Sequence, residues 1–214
     1  EKEAYERGTS IYLVDRVVPM LPEKLSNELC SLREKEEKYT FSAVFQMNNK
    51  SEVLNEWYGK TIIKSDKRFS YEEVNHILQE KTKKINKNIS LQKEGYTITE
   101  DLYDTVLILN KLAKKLREKR IKKGAISFER TEVNFSLNRK KEPESIFYKE
   151  YGDANKLIEE FMLLANKKVA SFVKGKKKKP FVFRVHDSPD AEKLHNLQKT
   201  ISSFGYVFNS KSKK

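Results

Sequence analysis

The segment from residue 7 to residue 32, "RGTSIYLVDRVVPMLPEKLSNELCSL", constrains the fold more than any other part of the sequence. Pro19 and Pro22 interrupt any helix, and the residue before each proline is pushed towards extended backbone. The segment is nevertheless rich in apolar side chains: Ile11, Leu13, Val17, Val18, Met20, Leu21, Leu25, Leu29 and Leu32. An irregular segment of this composition is expected to be buried, and its backbone polar groups then need partners. We therefore predict a buried loop that shapes a site.

The charge of the chain points to a polyanionic partner. The 214 residues carry a formal net charge of +13, and their length suits a single domain with one core. Nucleic acid is the usual partner of so basic a protein, although the lysines could equally serve solubility alone.

Cys30 is the only cysteine, so an internal disulfide is excluded and a reducing, cytoplasmic location is expected. Because Cys30 lies in an apolar run, we predict a buried structural thiol. No apolar run approaches the roughly 20 residues of a membrane span, and no signal peptide is recognised, so no membrane association is predicted.

A β-hairpin and two capped helices are predicted in the first half of the chain. Alternating apolar residues indicate a strand at Phe41, Ala43, Phe45 and Met47; "NNKSE" is typical of a turn, and residues 53–63 form the return strand. Ser70 with Glu73, and Thr97 with Glu100, have the spacing of capping boxes. The second helix is expected to end at Gly124. Its basic last turns fit either a solvated face or an RNA-binding patch.

The second half continues the alternation of strands and helices. Val133, Phe135 and Leu137 alternate as in a strand, and residues 154–173 form a helix that is apolar nearly all round and is therefore expected to be buried. "PFVFRV" is predicted as a strand, followed by a helix that Ser188 caps and Gly205 ends. The predicted fold class is α+β, with a mixed, largely antiparallel sheet and helices packed on it.

The residues alone do not indicate a catalytic centre. The sequence has no P-loop, no glycine-rich dinucleotide turn, no zinc-ligand spacing and no D-x-D-D cluster of acids. Glu159 and Glu160 are unusual because they lie within the apolar helix. One of them is expected to point outwards, and the other to lie near the packed side, where it could accept hydrogen bonds from ligand hydroxyls.

Four motifs together resemble the catalytic domain of the RNB family, which includes ribonuclease R, ribonuclease II and eukaryotic exosome-associated relatives. They are the segment 7–32, "GAISFE", "GDANKLIEEFMLLAN" and "FRVHDSPD", in the family's order and across essentially the whole chain. The ribonuclease R branch is favoured. The resemblance implies a processive 3′→5′ exoribonuclease that hydrolyses single-stranded RNA to 5′-mononucleotides, with Mg²⁺ held by an aspartate cluster.

The resemblance also implies four RNA contacts. Tyr12 would stack against the terminal nucleotide, and Phe128 would clamp the bases from the other side, although both would otherwise be taken as core aromatics. Tyr71 would contact a ribose near the 3′ end, and Glu159 would accept hydrogen bonds from ribose hydroxyls. Contacts to the 2′-hydroxyl would favour RNA over DNA.

The sequence departs from the family pattern at both ends. The family's D-x-D-D cluster, expected before "RGTSIY", and its downstream arginine segment do not occur in residues 1–214. We therefore expect residues 1–214 to be the substrate-channel portion of an RNB catalytic domain, without catalytic or metal-binding residues and inactive alone. Mg²⁺ would belong to the parent enzyme. One alternative is a stand-alone RNA-binding module or scaffold; another is that the basic charge serves ribosome or membrane-surface contact. The oligomeric state stays open.

Overall fold

The structure, a computed structural model, describes residues 2–126, 132–149, 151–175 and 180–208. The chain divides into two compact units, Glu1–Ser171 and Phe172–Lys214, each of which is described by itself. The described residues form five α-helices, one short π-helix and eight strands, which pair antiparallel as four two-stranded sheets. The predicted α+β class is confirmed, with the strands distributed over separate ribbons instead of one sheet.

The N-terminal segment is held by local hydrogen bonds. It comprises α1 (Lys2–Arg7), β1 (Ile11–Tyr12), β2 (Val17–Val18) and a π-helix (Lys24–Leu29). β1 and β2 pair antiparallel, the Nη2 atom of Arg7 donates to the carbonyl of Pro19 at 3.1 Å, and the N–H of Met20 donates to Ser10 Oγ at 2.9 Å. The backbone of this irregular segment is thus partnered without a surrounding core.

The prediction that residues 7–32 are buried is wrong for this chain. The exposed apolar side chains are Ile11, Leu13, Val14, Val17, Leu21, Leu25, Leu29 and Leu32. Cys30 is exposed as well, which contradicts its prediction as a buried thiol. The apolar composition of residues 7–32 predicted that other residues would bury these side chains. The residues that the structure describes do not bury them.

The core of the first unit lies between two helices and a small sheet. These elements are α2 (Tyr71–Glu80), α3 (Glu100–Lys122), and the pair β5 (Lys84–Ile85) and β6 (Tyr96–Thr97). The buried apolar side chains of this core are Ile77, Ile85, Ile98 and Val106. Apolar residues at helical spacing on α2 and α3 therefore do form one packed face, as the sequence predicted.

Capping residues fix the ends of these helices. The capping box at the start of α2 is confirmed: the N–H of Glu73 donates to Ser70 Oγ at 3.0 Å, and Ser70 N–H donates to the Glu73 carboxylate at 2.6 Å. The predicted cap of α3 is wrong by two residues, because Thr99 takes that position and Thr97 belongs to β6. Gly124, with φ of +91°, follows the helix as predicted.

Two hairpins share one turn design. The first joins β3 (Glu37–Met47) to β4 (Val53–Lys64), and the second joins β7 (Glu132–Leu137) to β8 (Pro143–Lys149). In each turn an asparagine Oδ1 accepts two backbone N–H groups, and a residue three positions later adopts positive φ: Asn48 with Ser51, and Asn138 with Lys141. The predicted strands and turns are confirmed here.

The turn of the first hairpin is attached to α3. Ser51 is buried, and its Oγ donates to the carbonyl of Leu112 at 3.1 Å. The Nζ atoms of Lys115 and Lys119 each donate to a carbonyl of the same turn at 2.5 Å. Part of the basic run on α3 therefore has a structural role.

The helix α4 (Asp153–Gly175) buries only one side. Its buried residues in the first unit are Ala154, Leu157 and Glu160, whereas Ile158 and Met162 are exposed. The prediction of burial all round is therefore wrong in this chain.

The second unit contains α5 (Ala191–Ser203). Residues 180–190 form no regular element, so the predicted strand "PFVFRV" is wrong. The cap of α5 is Asp190, whose Oδ1 accepts from the N–H groups of Glu192 and Lys193 at 2.9 and 3.1 Å, and not Ser188 as predicted.

Candidate RNA-binding site

An apolar cavity of about 560 Å³ lies where α2, α3 and α4 meet. Its lining includes Phe69, Tyr71, Val106, Leu157 and Ile158. Tyr71 is partly exposed, so its phenol is available to a ligand in the cavity. A space of this size with mostly apolar walls and one phenol suits a planar apolar group such as a nucleobase, or the carbon face of a sugar.

Glu73 holds in place the part of the cavity wall that carries Tyr71. This carboxylate is fully buried and accepts three hydrogen bonds: from Ser70 N–H at 2.6 Å, from Leu91 N–H at 3.2 Å and from the Tyr96 hydroxyl at 2.7 Å. Burial, together with the adjacent Glu73 carboxylate, raises the pKa of Tyr96 far above its usual range. The phenol therefore stays a neutral donor and holds the buried acid in place.

A second, polar cavity of about 540 Å³ adjoins the first. Arg68 and Leu91 line both cavities, while Arg33 and Glu34 line only the polar one. Glu34 accepts from the backbone N–H of Arg68 at 3.1 Å and pairs with Lys67 Nζ at 3.2 Å. The hydrogen bond from Arg68 N–H is the main cause of a lowered pKa at Glu34, so this carboxylate is charged at neutral pH.

The two glutamates of α4 share one arginine of α3. Arg120 Nη2 lies 2.5 Å from Glu160 Oε1 and 3.0 Å from Glu159 Oε1. Glu160 is only 3% exposed. The hydrogen bonds that it accepts from Arg120 raise the pKa of that guanidinium. A buried carboxylate needs such a cation. The residue near the packed side is thus Glu160, while Glu159 is partly exposed.

The structure does not bring the predicted contact residues into one lining. Tyr71 lines the apolar cavity, whereas Glu159 is not part of its lining and pairs with Arg120 of α3. Tyr12 lies on β1, 79% exposed, and is not part of this lining. Phe128 lies outside the described residues. Arg120 was not predicted from the sequence. The two adjacent acids in an apolar helix did indicate that a cation was needed.

The described residues do not fit a magnesium site. No group of three or more His, Cys, Asp or Glu side chains in residues 2–126, 132–149, 151–175 and 180–208 is arranged to hold a metal ion. We therefore derive no catalytic step through Mg²⁺ from these residues. In the same ranges no helix is both long and apolar enough to cross a membrane.

Comparison with known sequences covers the whole chain. Residues 1–214 match the RNB domain family. Ribonuclease R 2 of Lactococcus lactis is 34% identical over 212 residues, which are 99% of this chain and 31% of the relative. DIS3-like exonuclease 2 of Xenopus tropicalis is 35% identical over 196 residues, which are 91% of this chain and 23% of the relative. The chain thus spans less than a third of the length of these relatives.

Solved structures share the fold. The apo form of Mycoplasma genitalium RNase R matches with a TM-score of 0.82 at 28% identity, covering 100% of this chain and 32% of that one. The same enzyme in complex with double-stranded RNA matches with a TM-score of 0.83, at 28% identity, covering 100% of this chain and 36% of that one. A family match over every residue and this agreement in fold lead to one conclusion: the chain belongs to the RNB domain family.

Proposed function

We propose that the protein acts as a processive 3′→5′ exoribonuclease, which hydrolyses single-stranded RNA to 5′-mononucleotides with Mg²⁺. The observation that carries the proposal is the match of all 214 residues to the RNB family, with ribonuclease R among the relatives. The net charge of +13 supports a polyanionic substrate. The single cysteine supports a cytoplasmic location.

Within that enzyme, residues 1–214 would form the substrate-channel portion of the catalytic domain. Tyr12 offers an exposed aromatic face on which a base can stack, and Phe128 is its proposed counterpart. Tyr71 at the apolar cavity and Glu159 on α4 would contact ribose. Arg120 supports this role, because its Nη2 atom donates a hydrogen bond to Glu159 Oε1 and so orients that carboxylate.

Catalysis itself is not assigned to these residues. The 214-residue sequence contains no D-x-D-D cluster, and the described residues form no metal-binding group. The proposal is therefore that this chain alone binds single-stranded RNA without shortening it. A stand-alone RNA-binding module is the second candidate function, favoured by the same two observations.

One experiment separates these possibilities. The 214-residue chain, and any longer protein that contains it, are incubated with 5′-labelled oligoadenylate and Mg²⁺, and the products are resolved on a sequencing gel beside a binding titration. We expect the chain to bind without shortening, and the longer protein to shorten the RNA stepwise until EDTA is added. If the 214-residue chain alone shortens the RNA, the proposal that it lacks catalytic residues is wrong. If the longer protein binds the RNA without shortening it, the stand-alone RNA-binding module is favoured.

The ribose contacts are tested by sugar substitution. Replacing the 3′-terminal riboses by deoxyriboses removes the 2′-hydroxyls, and a lost hydrogen bond to a carboxylate corresponds to roughly a tenfold loss of affinity. We expect this loss in the wild type and a smaller one in Glu159→Gln. Tyr12→Ala is the control, because a lost stack weakens RNA and DNA binding alike. If the wild type and Glu159→Gln lose the same affinity on replacement of ribose by deoxyribose, Glu159 does not bind the ribose hydroxyls.

A further inference from the structure

Arg68 stands where the apolar and the polar cavity meet. Its side chain is exposed, and it lines both spaces, together with Leu91. Among the described residues, no carboxylate or carbonyl accepts a hydrogen bond from its guanidinium. The guanidinium is therefore accessible to an anionic ligand, to which its planar array of donors is suited.

The other charged side chains of the polar cavity already have partners. Glu34 is compensated by Lys67, whose Nζ lies 3.2 Å from its Oε2 atom. Arg33 donates through Nε and Nη2 to the carbonyl of Asn27, at 3.1 and 2.9 Å. The guanidinium of Arg68 is thus the charged group of this cavity that the described residues leave without a partner.

The backbone of Arg68 is nevertheless fixed. Its N–H donates to Glu34 Oε2 at 3.1 Å, and the chain enters the capping box of α2 two residues later, at Ser70. The backbone that carries the guanidinium is therefore held in place, and only side-chain freedom is lost when the guanidinium binds a ligand.

The chemistry of the two cavities suits consecutive parts of a nucleotide. The apolar cavity, with the Tyr71 phenol in its wall, fits a base or a sugar. A guanidinium at its border fits a phosphate, to which arginine can donate two parallel hydrogen bonds. We infer that Arg68 binds a backbone phosphate of single-stranded RNA, next to the nucleoside that occupies the cavity at Tyr71. This inference rests on the proposed function, and it adds a contact that the sequence did not indicate.

The first test is the salt dependence of RNA binding. The protein is titrated with 5′-labelled oligoadenylate in EDTA, which prevents metal-dependent hydrolysis, at several salt concentrations. We expect Arg68→Ala to weaken binding about tenfold at low salt, and the slope of log K against log salt to fall in magnitude by about 0.7, the value for one phosphate contact on a single strand. Arg139→Ala is the matched control, because it removes the same charge from the exposed β7–β8 turn; it should leave the slope unchanged.

The second test locates the phosphate. Single methylphosphonates, which are uncharged, are placed at successive positions of the RNA. We expect one position to weaken binding by the wild type and not by Arg68→Ala, because the contact is already lost in that variant. Arg68→Lys should bind with intermediate affinity, since it keeps the charge and loses the paired donors. If Arg68→Ala does not fold, judged by its thermal unfolding, Arg68→Lys answers the question alone.

The outcomes distinguish this inference from the proposed function. If the wild type binds RNA and Arg68→Ala behaves like Arg139→Ala, the inference is wrong and the proposed function stands. The same holds if every methylphosphonate weakens the wild type and Arg68→Ala equally. If the wild type does not bind RNA at all, both fail.

Discussion

Two regions of the first unit use apolar side chains in opposite ways. In the region of α2 and α3, Ile77 and Ile85 are fully buried, and the buried acid Glu73 has three hydrogen-bond donors. In the N-terminal segment, residues 7–32, Leu29 is 63% exposed and most other apolar side chains are exposed as well. Apolar residues at helical spacing define their own packed face. Apolar residues on an irregular backbone do not specify what will cover them.

The largest difference between these regions should appear on truncation of a buried side chain. Ile77→Ala removes three carbon atoms from a fully buried site and should lower the free energy of unfolding by about 2–5 kcal/mol. Leu29→Ala, at an exposed site, should change it by less than about 0.5 kcal/mol. Urea unfolding of both variants measures the contrast. Equal losses would show that the N-terminal segment is packed in solution.

A smaller difference concerns the buried hydrogen bonds behind Tyr71. Tyr96→Phe removes a donor to the Glu73 carboxylate and should cost about 1–3 kcal/mol at neutral pH. The raised pKa of Tyr96 adds a pH dependence. Its stabilising contribution is complete below the ordinary tyrosine pKa of about 10, and it declines as the pH rises above that value, because the unfolded phenol then ionises first.

The measurement is therefore the stability difference between wild type and Tyr96→Phe at several pH values. The difference should be constant from pH 7 to pH 9 and should shrink above about pH 10. Tyr39→Phe, which changes an exposed phenol, is the control and should show no such trend. A Tyr96→Phe penalty that stays constant to high pH would contradict the link between this hydroxyl and Glu73.

The smallest effect on stability is expected where apolar residues are already exposed. The double variant Leu25→Ser, Leu29→Ser should leave the urea midpoint nearly unchanged. It should, however, reduce self-association of the 214-residue chain in sedimentation velocity, because exposed apolar surface promotes association. Ser substitutions at the exposed Leu54 and Ile62 of the β3–β4 hairpin control for a general gain in solubility. Marked unfolding of the Leu25→Ser, Leu29→Ser variant would contradict the exposure of this segment.

The parts of the fold that the sequence predicted depend on neighbouring residues. The capping box of Ser70 and Glu73 and the turns at Asn48 and Asn138 need only groups within five positions of one another. The predicted strand "PFVFRV" failed because a strand requires a partner, and none pairs with residues 180–190 among the described residues. Propensity alone could not reveal that.

The candidate site was predictable in part. Tyr71 and Glu159 were predicted from the resemblance to the RNB family, and the structure adds the cavity that Tyr71 lines. The contacts that organise the site join distant positions: Arg120 lies 40 residues before Glu160, and Glu34 lies 33 residues before Lys67. A single sequence does not indicate which cation meets which acid across such distances, although it shows that a buried acid must have one.

The attachment of the first hairpin to α3 restricts insertions and deletions within that helix. Lys115 and Lys119 are separated by about one helical turn and donate to neighbouring carbonyls of one turn, beside Ser51. Inserting or deleting one residue between them would rotate the second ammonium group by about 100° around the helix axis, away from its acceptor. The attachment thus fixes the number of residues between the two lysines at three. Relatives that keep this attachment should show no gaps here.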